Sequence, residues 1–392
     1  MTVIHARPSA QSRLFPAFSL THLLKTVFHP KAGEKLCILI DLDDLSLIEN
    51  FAFLENSKLD VQKTAYEVFY QGLRKGDMQK LQLKACDFFA YQTTKGSNLE
   101  LPETVTTPNG AVLSFVKDIY PNYDLILCIS TYSATAPLTA AAKQYGFRGA
   151  TLHGVNDIIL SSGLAVDYEE VSRETEKLRL GMTHADNVDI DFEIGHHPYH
   201  LHISLGKQEA QKSHGLCRTA PDIVNLPAGE VYFVPKDARG EFPVKFDDGT
   251  LTLMHVQHGR IEAIDLLKGD QAVVDEFSQK LKSDPAAGIL GELGFGTQVL
   301  PYSGRDIQDE KIFGTFHLAT GRNDHLTGSV TLDRFKNKHN ATHEDILFSS
   351  TKTPEIRVRQ VRMQRHGKSE VLIQDYEPAE YLLELLKDKK LH

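Results

Sequence analysis

The sequence predicts an α/β plus α+β fold: an N-terminal parallel-sheet α/β domain over residues 1–210 and a C-terminal mixed α+β domain over residues 211–392. Three observations carry that expectation. The chain has 392 residues, more than one hydrophobic core usually organises. Apolar strand-like runs alternate with helical patterns through the first half, the rhythm of a parallel sheet with crossover helices. From about residue 188 strands follow one another with few helices between them, the rhythm of an α+β region.

The first half begins with LCILIDL (36–42), a short apolar run suited to a strand buried on both faces. LDVQKTAYEVFYQGLRKG (59–76) carries apolar residues at helical spacing and ends on glycine. The runs 84–93, 123–130 and 149–155 read as further strands, and TAPLTAAAKQYG (135–146) as the helix between the last two. The stretch 166–182 is a charged amphipathic helix with glutamates early, where they favour the helix N-terminus. In the second half 188–195, 199–206, 230–235, 249–256 and 259–266 read as strands, with helices at 270–284 and 378–388. No Gly-x-Gly-x-x-Gly follows the first strand and no complete phosphate-loop motif occurs, so nothing supports a dinucleotide or nucleotide-phosphate site.

Composition narrows the partners. A hydrophobic content of 41% and a charged content of 24% are those of a soluble globular protein. The net charge of −9 argues against nucleic acid or an anionic membrane, each of which wants a basic surface. The densest basic stretch, residues 357–368, alternates basic and apolar residues and reads as a strand with one solvated face. No segment approaches the roughly 18 apolar residues that a membrane span needs. Residues 1–15 lack the apolar core of a signal peptide. Four scattered cysteines, three of them (Cys37, Cys86, Cys128) in apolar runs and the fourth at Cys217, suit a reducing compartment, and the cytoplasm is the expected location.

Two sets of residues have metal-binding chemistry. His200 and His202 share one face of a strand, but no carboxylate or cysteine with a recognisable spacing accompanies them, and they read as a polar strand face. The second set is fuller. Glu230 opens an apolar strand after a Pro-Ala-Gly turn, and Glu292 lies between glycines that allow close backbone approach. His317 lies in an apolar strand, and His343 and Asp345 point the same way from another. Two histidines and an aspartate make a facial triad with open positions for substrate. Two further glutamates supply oxygen donors for a second ion. Two ordinary buried strands would look the same at this level.

NLPAGEVYFVP (225–235), GELGFGT (291–297), DEKIFGTFHLATG (309–321) and HEDILF (343–348) resemble, in order and spacing, the motifs of the aminopeptidase T-type thermophilic metallopeptidase family. That resemblance implies a homodimer with its active site on the C-terminal, metal-binding catalytic domain, facing a cavity. It implies metal ligands at Glu230, Glu292, His317, His343 and Asp345, holding up to two divalent ions (zinc, cobalt or manganese). Glu230 and Glu292 would be catalytic as well, bridging the ions or managing the proton while a metal-activated water cleaves N-terminal residues from short peptides or related amides. One position departs from the family: Asp324 stands where the peptidases carry a catalytic tyrosine. The same superfamily contains a branch similar to 2,5-dihydroxypyridine 5,6-dioxygenase. There the implied centre is a single non-haem iron(II) held at His317, His343 and Asp345, acting on a small ring. The aminopeptidase-like hydrolase is the first expectation and the ring-cleaving dioxygenase the alternative.

Overall fold

The apolar run at 36–42 forms the strand Lys35–Leu42, buried along nearly its whole length at the centre of a seven-stranded sheet. The computed structural model describes residues 14–387; most of the stretch 1–15, expected to lack a signal peptide, and the last residue of the expected 378–388 helix lie outside the described residues. In spatial order the sheet runs Asp222–Asn225, Arg148–Thr151, Leu125–Cys128, Lys35–Leu42, Ala85–Gln92, Thr104–Thr106 and Val112–Ser114. The first five are parallel and the last two form an antiparallel edge. The expected parallel sheet is present, with the hairpin at 104–114 added to its rim.

Its crossover helices follow the sequence signals. The helix Thr135–Tyr145 stops at Gly146, whose φ of 81° closes it in the left-handed conformation that glycine adopts without penalty. The charged helix Tyr168–Met182 starts where the Asp167 side chain accepts from the Glu169 N–H. The segment from Asp60 is helical but widened into π-turns at Ala65–Tyr70 and Leu73–Asp77. From Lys35–Leu42 the chain moves to Ala85–Gln92 on one side, then crosses to Leu125–Cys128 on the other. That reversal opens a crevice at the carboxyl ends of the parallel strands, where open α/β sheets bind ligands.

The rest is antiparallel, in two sheets. An eight-stranded sheet runs Arg260–Lys268, Leu251–Gln257, Asp237–Lys245, His197–Ser204, Asn187–Ile194, Arg357–Arg365, Lys368–Gln374 and Glu377–Pro378. A five-stranded sheet runs His343–Phe348, Phe316–Gly321, Leu290–Gly296, Glu230–Phe233 and Gln211–Ser213. They pack through aromatics. Phe316 and Phe348 stack at 4.9 Å between centroids, with Phe192 of the larger sheet 5.1 Å from Phe348. Sheet membership crosses residue 210 in both directions: 187–204 join the C-terminal antiparallel sheet, and 222–225 join the N-terminal parallel one.

The polar strand faces behave as their alternation predicts. His200 and His202 bond through Nδ1 to Asp191 and Asp189, each at 2.8 Å, and among the described residues neither joins a group with metal-binding geometry. Arg357 and Arg362 pair with Asp375 and Asp191 on the same solvated side. All four cysteines are buried and free. No helix among the described residues is long and apolar enough to cross a membrane.

Candidate metal centre

Register puts the five candidate residues on one face of the five-stranded sheet. Glu230 pairs with Gly296, Gly294 with His317, Glu292 with Ala319, and Ala319 with Asp345. Side chains two residues apart share a face, so Glu230, Glu292, His317, His343 and Asp345 all project away from the aromatic core. A register shift between Leu290 and Glu292 bends the strand at the point where Glu292 must reach inward. The glycines explain the close packing. A Cβ at position 294 would collide with the His317 ring, so glycine there is the space the imidazole occupies.

Donor atoms converge in three groups, each within 4.8 Å: Glu230, Glu292 and His317; Glu292, His343 and Asp345; and Glu310, His317 and Asp345. The five residues expected from sequence are therefore brought together. The two histidines, however, do not share a group among the described residues, so the expected triad of His317, His343 and Asp345 is not a single cluster here. His343 Nε2 lies 3.0 Å from Glu292 and 3.3 Å from Asp345. His317 Nε2 lies 3.6 Å from Glu292 and 3.8 Å from Glu230, on the opposite side of the shared glutamate.

The electrostatics are those of a largely buried charged cluster. Burial alone would lower both imidazole pKa values. Glu292, Glu310 and Asp345 outweigh it at His317, raising it to about 10. At His343, Asp345 and Glu292 do the same and hold it well above the ordinary histidine range. Burial pushes Glu292 up, but hydrogen bonds from both histidines prevail and keep it ionised. Asp345, whose side chain is 31% exposed, opens the cluster to solvent. Such a set of carboxylate oxygens and imidazole nitrogens fits a divalent ion. His317 Nδ1 is buried without a hydrogen-bond partner, so its ring is not committed through that atom.

Three neighbours were not legible as site residues. Lys311 is 1% exposed and its ammonium lies 2.8 Å from Glu230, with a second, shorter ion pair to Glu310. Both stand in the DEKIFGTFH run that also carries His317, so the charged doublet before an apolar strand was the available signal. His153, beyond the end of the parallel strand Arg148–Thr151, has a buried Nδ1 without a partner; burial lowers its pKa to about 4 and keeps it neutral. No sequence pattern marks it, because its place depends on the docking of the parallel sheet against the site sheet.

A cavity of about 780 Å³ leads from His343 and Asp345 between the loops after the parallel strands and the site sheet. Thr94, Thr131 and Tyr132 line one side, and Tyr302 and Arg305 the other. A second, of about 320 Å³, reaches all five candidate residues and Tyr232; His153 lines both. The switch-point crevice of the first sheet thus faces the charged face of the second. Asp324 is elsewhere engaged, 2.7 Å from Arg322 Nε.

No family model matches this chain, and no curated protein matches it. Among solved structures, 2,5-dihydroxypyridine dioxygenase from Pseudomonas putida KT2440 is similar, with a TM-score of 0.59 at 14% identity over 92% of this chain and 95% of that one. The likeness shows a common fold. The peptidase side of the motif resemblance gains no support from these comparisons.

Proposed function

We propose that this chain is a metal-dependent ring-cleaving dioxygenase that uses iron(II) and acts on a small dihydroxylated ring of the 2,5-dihydroxypyridine type. The observation that carries this reading is the Glu292, His343 and Asp345 group, one nitrogen and two carboxylate donors within 4.8 Å that line the smaller cavity, with His343 and Asp345 also reaching the larger one. The fold likeness to a dioxygenase supports it. So does Asp324: an ionised carboxylate tied to Arg322 is no oxyanion donor of the phenol kind.

Glu292, His343 and Asp345 would hold the ion, with His317 beside them. Bound there, iron(II) supplies open coordination positions and the electrons that activate dioxygen. The chain supplies the rest. Arg322 fixes the orientation of His343 through a backbone hydrogen bond at 2.6 Å. Leu99, Tyr132 and Tyr302 give the cavity apolar walls suited to a flat ring. His153, neutral and unpartnered at Nδ1, accepts a hydrogen bond from a substrate hydroxyl and orients the ring.

The test is oxygen uptake by protein reconstituted anaerobically with iron(II), using 2,5-dihydroxypyridine and related dihydroxylated rings. Uptake that requires iron and ring together is the expected result. No uptake on any ring, with hydrolysis of aminoacyl amides under nitrogen, would overturn it. One observation favours that second reading, the two-metal hydrolase: Glu292 belongs to two donor groups at once, as a bridging carboxylate would.

A further inference from the structure

We infer that Lys311 is an internal cation that takes the place of a second metal ion, so that the centre holds one divalent ion, at Glu292, His343 and Asp345. This rests on the metal reading above and deepens it. Of the three donor groups, one depends on Glu230 and another on Glu310, and the Lys311 ammonium is paired with both carboxylates. The third group has no ion pair with Lys311 among the described residues.

Burial makes the pairing consequential. At 1% exposure the ammonium is shielded from water, and these two carboxylates compensate it. A dication placed in either of the first two groups would draw on an oxygen set already turned to the ammonium, and would stand against a like charge in a medium that screens poorly. The remaining group is free of this ammonium, and the cations that face its carboxylates are imidazoles, of which His343 gives up its proton on becoming a ligand. Glu230 is then a carboxylate held in place by Lys311, and His317 marks the boundary between the internal cation and the external one.

The experiment is a titration of chelator-stripped protein with Mn²⁺ under nitrogen, read by calorimetry and by metal retained after equilibrium dialysis. The wild type is expected to bind one ion per chain. Lys311→Met, which leaves Glu230 and Glu310 uncompensated, is expected to bind two. The double variant Lys311→Met with Glu230→Gln is expected to return to one. Two ions in the wild type, or one in Lys311→Met, would overturn the role given to Lys311 while leaving the metal reading intact. No bound ion in the wild type would remove the metal reading itself, and this inference with it. Should Lys311→Met fail to fold by circular dichroism, Lys311→Arg keeps the charge and is expected to hold one ion; two ions there overturn the inference equally.

Discussion

Arg322 and His343 are joined by a backbone hydrogen bond: His343 Nδ1 donates to the Arg322 carbonyl at 2.6 Å, which turns Nε2 toward Glu292 and Asp345. The Arg322 guanidinium is itself held by Glu100 at 2.6 Å, Asp324 at 2.7 Å and the Asn98 carbonyl at 3.1 Å. One buried residue thus ties the loop at the end of the second parallel strand to the orientation of a candidate ligand. Arg322→Met removes the tether but keeps the length. Divalent-ion affinity is expected to fall about 10- to 100-fold, the usual effect of losing an orienting partner. Calorimetry on the folded variant checks it, and an unchanged affinity would show that the carbonyl holds its place without the guanidinium.

Asp324 follows from the same contact. Where the resemblance to peptidases made this position a missing tyrosine, the structure gives its carboxylate a structural use, with Arg322 holding it in the ionised form against the upward push of burial. Asp324→Tyr is therefore expected to leave leucine-amide hydrolysis absent. It is also expected to destabilise the fold by about 1–3 kcal/mol through a charge-assisted pair lost beside a buried guanidinium. Appearance of hydrolysis in the variant would return the hydrolase to first place.

Gly294 tests the sheet geometry. A methyl group there meets the His317 ring, so Gly294→Ala should cost about 1–3 kcal/mol by overpacking and displace the imidazole. Adding His317→Ala relieves the collision, and the double variant should be more stable than the sum of the two single changes. Denaturant melts of the four proteins give the coupling. Strict additivity would mean that the two residues do not compete for the same space.

His153 tests the division of labour. If it accepts a hydrogen bond from the substrate hydroxyl, His153→Leu should lower kcat/KM by about 10-fold in the oxygen-uptake assay. Metal content should stay unchanged, since His153 belongs to none of the three donor groups. Loss of the metal in this variant would place His153 among the residues that build the site.

The parallel sheet was legible because strands such as Lys35–Leu42 are buried on both faces and so read as unbroken apolar runs. Asp222–Asn225 was not: its four residues are only half-buried, and its partner lies some 70 residues earlier. Glu230, Glu292, His317, His343 and Asp345 were legible because strand alternation and motif order fix which face each occupies. How they divide into groups was not, since a single register shift beside Glu292 and the intrusion of Lys311 decide it. Both are tertiary facts. The same holds for His153 and Arg322, which come to the site from another sheet and from the end of a strand.

The last prediction concerns acid. His214 lines the smaller cavity outside the donor groups, with burial as the main cause holding its pKa down to about 4 and Lys212 adding to the effect. Its Nδ1 accepts from the Leu216 N–H at 3.3 Å, a bond that requires the unprotonated atom. An unfolded chain protonates this imidazole near pH 6.5, whereas the folded chain resists until about pH 4. Between those values the unfolded state binds more protons, so stability is full above about pH 6.5 and falls as the pH drops toward 4. Because the side chain is partly open to solvent, the share due to His214 is on the order of 1–2 kcal/mol rather than the full shift. His214→Gln keeps an acceptor and removes the titration. Urea melts of wild type and variant at pH 7.5 and pH 4.5 should show a smaller acid loss in the variant; equal losses would mean that His214 titrates normally in the folded protein.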